Sequence, residues 1–172
     1  KVHSTRPHDC HPKFVFWIGD EPWVTRCTQE DAVCLSDVTR RIDISGTRRP
    51  ISVHDGVVHN GKIYFTCVDG AIVVADSSTY AVIDVIVLSE LKGFGGVRGW
   101  CRGLYLNGDI CYVAFSRLRK TKRLERVAWV SRLIGRGFIE SSSVLAVNIR
   151  TMEVISDFRV PDGMIDAIYS LL

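Results

Sequence analysis

Apolar and polar residues alternate with a period of two through much of the chain, and turn-forming residues interrupt the alternation every few positions. This pattern predicts short antiparallel strands rather than helices. The clearest stretch covers residues 53–88, where 57–59, 62–67, 71–75 and 81–88 read as four strands. Between the first two, Asn60-Gly61 makes a two-residue hairpin turn, a pair suited to positive φ at both central positions. Asp69-Gly70 closes the next hairpin, and the turn at 76–79 closes the third.

The same unit recurs on both sides. Downstream, 101–110 matches its first half, with Asn107-Gly108 standing for Asn60-Gly61 at a shift of 47. The segments 144–147 and 154–160 match its second half. Upstream, 14–18, 23–27, 32–36 and 41–45 give four more strands. A turn that opens on Asp or Asn and reaches Thr recurs at Asp37, Asp76 and Asn148. Near the end, Asp162-Gly163-Met164-Ile165 echoes Asp55-Gly56-Val57-Val58.

Four short strands with tight turns, repeated, describe propeller blades. The expected fold class is therefore all-β, a β-propeller-type array of four-stranded blades in one domain, 1–172. It has about three blades, near 8–50, 51–96 and 97–160, and the start of a fourth at 161–172. A β-sandwich or open meander is the alternative. An array cut inside a blade leaves unpaired edges. The ring is expected to be completed by the remainder of a longer chain or by a second copy in a homodimer or other oligomer.

The strings HDGVVHNGKIYFTCVDGAIVVAD, GWCRGL, and PWVTRC followed by DAVCL resemble bacterial β-propeller proteins of uncharacterised function. The resemblance covers most of the chain and implies a fold, without a settled activity.

Composition narrows the class further. Hydrophobic residues make up 47% of the 172 positions, enough for a packed core. No apolar run is long enough for a membrane span, and the polar N-terminus lacks the apolar segment of a signal peptide. A net charge of +3 is too mild to imply nucleic acid. The six cysteines form no CxxC pair and sit mostly among β-formers. They read as free buried thiols in a reducing cytoplasm.

In a propeller the first strand of each blade lines the central channel, so residues just before it converge at one mouth. The repeat assigns His11 (or His8-Asp9), His54-Asp55, Trp100-Cys101-Arg102 and Asp162 to that mouth. The ligand-binding candidates are His11, His54, Asp55, Trp100, Arg102 and Asp162, since convergent polar groups in a concavity are the default site. Each also has a packing role open to it: Asp55 in a turn, Arg102 paired with Asp55 or Asp162 across blades, Trp100 between blades. No ligand spacing marks a metal site, and His54 with Asp55 would be the donors of a divalent ion if one were bound. No GxSxG or P-loop appears, and Cys101 reads as a structural thiol.

Residues 116–143 interrupt the third blade with a basic insertion. Its apolar positions fit an amphipathic helix or an extended hairpin. Arg119, Lys120, Lys122, Arg123 and Arg126 are its candidates for contact with an anionic partner. Three function classes follow. The first is a binding or interaction module with a small-molecule or sugar ligand at the channel mouth. The second is a metal-assisted hydrolase or lyase acting on a carbohydrate or lactone. The third is an assembly protein that uses the basic insertion.

Overall fold

The computed structural model describes residues 10–47, 52–118, 139 and 141–171. Arg119, Lys120, Lys122, Arg123 and Arg126 lie outside the described residues. Among the described residues the strands form three four-stranded antiparallel sheets, each a simple meander in chain order. The first holds β1 (Pro12–Ile18), β2 (Glu21–Arg26), β3 (Asp31–Cys34) and β4 (Arg41–Asp43). The second holds β5 (Val53–His59), β6 (Lys62–Cys67), β7 (Ala71–Asp76) and β8 (Val82–Val87). The third holds β9 (Trp100–Asn107), β10 (Ile110–Ser116), β11 (Ser143–Asn148) and β12 (Glu153–Arg159). A 3-10 turn, Leu88–Glu90, follows the second sheet.

The expected turns form for the expected reason. The Asp76 carboxylate accepts hydrogen bonds from the Ser78 hydroxyl and the Ser78 and Thr79 amides. Chiefly through the Ser78 hydroxyl, these hold its pKa down at about 2. Asn148 accepts from the amides of Arg150 and Thr151 in the matching turn, and Asp37 from Thr39.

The sheets stack face to face. Alternate residues of β6 and β7 point to opposite neighbours, so these strands read as nearly unbroken apolar runs. Ile63, Phe65 and Val73 pack with Phe16, Trp23 and Ile42 of the first blade. Tyr64, Ile72 and Val74 pack with Leu104, Val113 and Leu145 of the third. The first strands lie against one another, β1 on β5 and β5 on β9, so they form the inner edge.

Each inner strand carries a β-bulge at the same place. Lys13–Phe14, His54–Asp55 and Arg102–Gly103 each set two residues against one on the second strand. The opposing residues are Thr25, Thr66 and Ala114. In the first two blades the threonine hydroxyl works in two directions. Thr25 accepts from the Phe14 amide at 3.1 Å and donates to the His54 carbonyl of the next blade. Thr66 accepts from the Asp55 amide at 3.0 Å and donates to the Arg102 carbonyl at 2.6 Å. Groups that a bulge leaves outside the ladder are thereby bonded, and adjacent blades are tied together.

The bulges also correct the repeat. His54 corresponds to Arg102, 48 positions on, and Lys13 precedes His54 by 41. The sequence shift of 47 fails because Asn107 pairs with Ile110, which centres the third blade's turn on Gly108-Asp109. In the second blade His59 pairs with Lys62 around Asn60-Gly61. The position assigned to His11 is occupied by Lys13, and Arg102 aligns with His54 rather than with Asp55.

After β12 the chain has no further strand among the described residues. Ser116, which corresponds to Val68, exchanges hydrogen bonds with the Ile168 backbone at 2.8 and 3.0 Å. At the corresponding place one blade earlier, the Val68 backbone carbonyl accepts the Cys101 amide. A Cβ on Gly103 would touch Ser170 and Leu171. Residues 168–171 therefore lie where a following blade would begin its inner strand.

The threonine ties make a specific prediction. Replacing Thr66 with isosteric Val leaves the Asp55 amide and the Arg102 carbonyl buried without partners. Chemical denaturation of Thr66→Val is expected to show a loss of about 2–3 kcal/mol, and Thr66→Ser most of the native stability.

Candidate functional site

The bulge at His54–Asp55 turns both side chains inward at the inner edge. His54 is 7% exposed and Asp55 is fully buried. The His54 Nδ1 and Asp55 Oδ1 share a hydrogen bond of 2.7 Å. The other carboxyl oxygen of Asp55, Oδ2, is buried and has no hydrogen-bond partner. Burial pushes the Asp55 carboxyl above the usual carboxylate range, against the opposing pull of His54 and of the Arg102 charge.

Arg102 occupies the same bulge position one blade later. Its guanidinium lies 5.0 Å from the Trp100 ring and 4.8 Å from the Tyr169 ring. Its Nε is buried without a hydrogen-bond partner. Every other arginine among the described residues has a carboxylate: Arg26 on Asp31, Arg40 on Glu21, Arg41 on Asp43, and Arg117 on Asp166. Arg98 and Arg159 share Asp157, and Arg150 takes Asp109. Arg102 has aromatic faces instead.

The structure thus brings His54, Asp55, Trp100 and Arg102 into one neighbourhood. His11 stays exposed just before β1, where its carbonyl accepts the Cys27 amide. Asp162 is exposed in the turn after β12, six residues short of Ile168. Both lie in connections outside the bulged strands. Arg102 makes no ion pair with Asp162; Arg98, which is 3% exposed, holds Asp157 through two bonds of 2.9 and 2.8 Å and so ties the lead-in of β9 to the outer strand of the same blade. Arg26 also pairs within its own hairpin rather than across blades, on the fully buried Asp31.

Tyr169 and Lys13 escaped the sequence reading. Tyr169 reaches Arg102 only because residues 168–171 run beside β10, a non-local contact with no local signal. Lys13 would have been found by aligning bulges instead of turns. Cys101 is an inert thiol, since burial pushes its pKa well up; burial pushes Cys111 up to about 12. No cluster of three His, Cys, Asp or Glu side chains placed to hold a metal ion occurs among the described residues. No helix of the described residues is long and apolar enough to cross a membrane.

Solved structures share the fold of the chain. The chain is similar to the WD40 repeats of RRP9, with a TM-score of 0.58 and 11% identity, over 96% of this chain and 42% of that one. It is similar to the WD40 β-propeller domain of Doa1, with a TM-score of 0.52 and 13% identity, over 92% and 42%. It is also similar to the hydrazine synthase of Kuenenia stuttgartiensis, with a TM-score of 0.59 and 15% identity, over 92% and 39%. The fold is that of a β-propeller. The chain spans about two fifths of the length of these structures. No family model and no curated protein matches it.

The raised Asp55 pKa has a defined sign in stability. The folded state holds this proton more tightly than the unfolded chain, so the group's contribution is fully present below the usual value of 3.8 and is lost as pH rises through the folded pKa. In urea unfolding across this window, Asp55→Asn is expected to lack that loss. Equal pH dependence in both proteins would contradict the burial argument.

Proposed function

We propose that the chain is a propeller-type interaction module whose inner edge takes a carboxylate from an acidic segment of a protein partner. The observation that carries this is Arg102, the one described arginine without a carboxylate of its own. Stacking on Trp100 and Tyr169 holds the guanidinium plane in place and leaves its hydrogen-bond donors for a ligand. Lys13 and His54 stand at the same bulge position in the preceding blades, so the inner edge presents nitrogen groups from three blades. The buried surroundings reduce solvent screening of a charge pair formed there.

Titration with a hexaglutamate peptide, followed by calorimetry and by tryptophan fluorescence, tests this reading. Arg102→Met is expected to weaken binding about tenfold or more, the value of one charge-assisted hydrogen bond. Arg102→Lys is expected to recover only part of it, because a point charge loses the stacked, forked geometry. Unchanged affinity in Arg102→Met would overturn the assignment.

Assembly through the outer blade faces is a second function class with its own observation. Phe158 corresponds to Ile86, since they pair with Val144 and Ile72 at matching positions. Ile86 is 4% exposed beneath the third blade, whereas Phe158 is 62% exposed. On the first blade Val15 and Trp17 are likewise exposed, at 51% and 59%. A second copy docking blade on blade would cover them. Sedimentation velocity is expected to show concentration-dependent dimers that Phe158→Glu abolishes; a monomer at every concentration would end this reading.

A further inference from the structure

A second concavity lies at the opposite end of the strands from Arg102, between the second and third blades. It holds about 380 Å³, within the roughly 300–1,000 Å³ of small-ligand pockets. Its counterpart between the first and second blades is filled. There Trp23 stacks on Tyr80 at 4.9 Å, and Arg40 covers both rings. Arg40 is paired with Glu21 and bonded to the Tyr80 hydroxyl.

Strand register aligns the two grooves residue by residue. Trp23 corresponds to Tyr64, Glu21 to Lys62, and Arg40 to Asp84. Tyr80 corresponds to Met152, each closing a turn with positive φ, 61° and 58°. Each substitution opens the second groove. The indole becomes a phenol, the stacking ring becomes a flexible side chain that is 37% exposed, and the ion pair is replaced by opposite charges in swapped places. Among the described residues Lys62 and Asp84 form no ion pair. Tyr64 is 5% exposed, lines the cavity, and has no hydrogen-bond partner for its hydroxyl among the described residues. Val74, Ile86 and Ile149 supply an apolar wall. Asp109 and Arg150 neutralise each other at the far rim, at 2.8 Å.

We propose that this groove binds a small zwitterion with an aliphatic side chain, namely a free α-amino acid. Its carboxylate meets Lys62, its ammonium meets Asp84, and the Tyr64 hydroxyl bonds one of the two. The side chain lies on Val74, Ile86 and Ile149. The site is separate from the inner edge and does not depend on Arg102.

L-leucine, leucinamide and N-acetyl-L-leucine are the probes, titrated into the isotopically labelled chain and followed by amide NMR. L-leucine is expected to shift the amides around Lys62, Tyr64 and Ile149 at millimolar concentration. The two derivatives, each lacking one charge, are expected to bind about tenfold more weakly or worse. Lys62→Ala and Asp84→Ala, both exposed and tolerable to the fold, are expected to weaken L-leucine similarly, and Arg102→Met to leave it unchanged. The proposal is overturned by absent shifts, by equal binding of the three probes, or by full binding in both charge variants.

Discussion

The threonine hydroxyl opposite the inner-strand bulge of the first two blades is the interaction on which the array depends. A bulge sets two residues against one, so an amide and a carbonyl fall outside the ladder at the most enclosed part of the blade. Thr25 and Thr66 satisfy the amide within the blade and the carbonyl of the next blade with one group. The bulge therefore defines both the local geometry and the blade-to-blade register. It also sets the chemistry, because Lys13, His54 and Arg102 all stand where the bulge aims a side chain along the inner edge.

The apolar faces follow from that register. Once adjacent inner strands are tied, the alternation along β6 and β7 decides which residues meet which neighbour. The middle blade is covered on both sides and contributes more buried core side chains than either neighbour. The end blades keep one face each that carries the same kinds of residue and meets solvent. Differences between the two inter-blade grooves then come from a handful of side chains placed on a common frame. Where Trp23, Tyr80 and Arg40 fill, Tyr64, Met152 and Asp84 leave space.

The strands and most turns were legible because their causes are local. Alternation fixes a strand's faces, and an Asn-Gly or an Asp-to-Thr turn can be read without its surroundings. The third blade misled by one residue because Asn107-Gly108-Asp109 can place a turn in two ways, and pairing with β10 selects the later one. That slip moved the repeat and misassigned the equivalents of His54. His54, Asp55, Trp100 and Arg102 lie on or beside the bulged inner strands, whereas His11 and Asp162 lie in the connections outside the bulges. Tyr169 could not be found at all, because its place beside Arg102 depends on the path of the chain after β12.

Ala114 stands in the third blade where the first two have threonine. Its methyl group can neither accept from the bulge nor reach forward to a neighbour. The joints of a repeat array contribute separately to its cooperativity. The joints are accordingly not alike: two are fastened by a threonine opposite a bulge, and beyond the third blade the hydroxyl moves two residues along β10 to Ser116, which bonds both the amide and the carbonyl of Ile168. Tyr169 and Arg102 sit at this third joint, so the segment that supplies an aromatic face to the guanidinium is held by a serine hydroxyl rather than by a strand of its own.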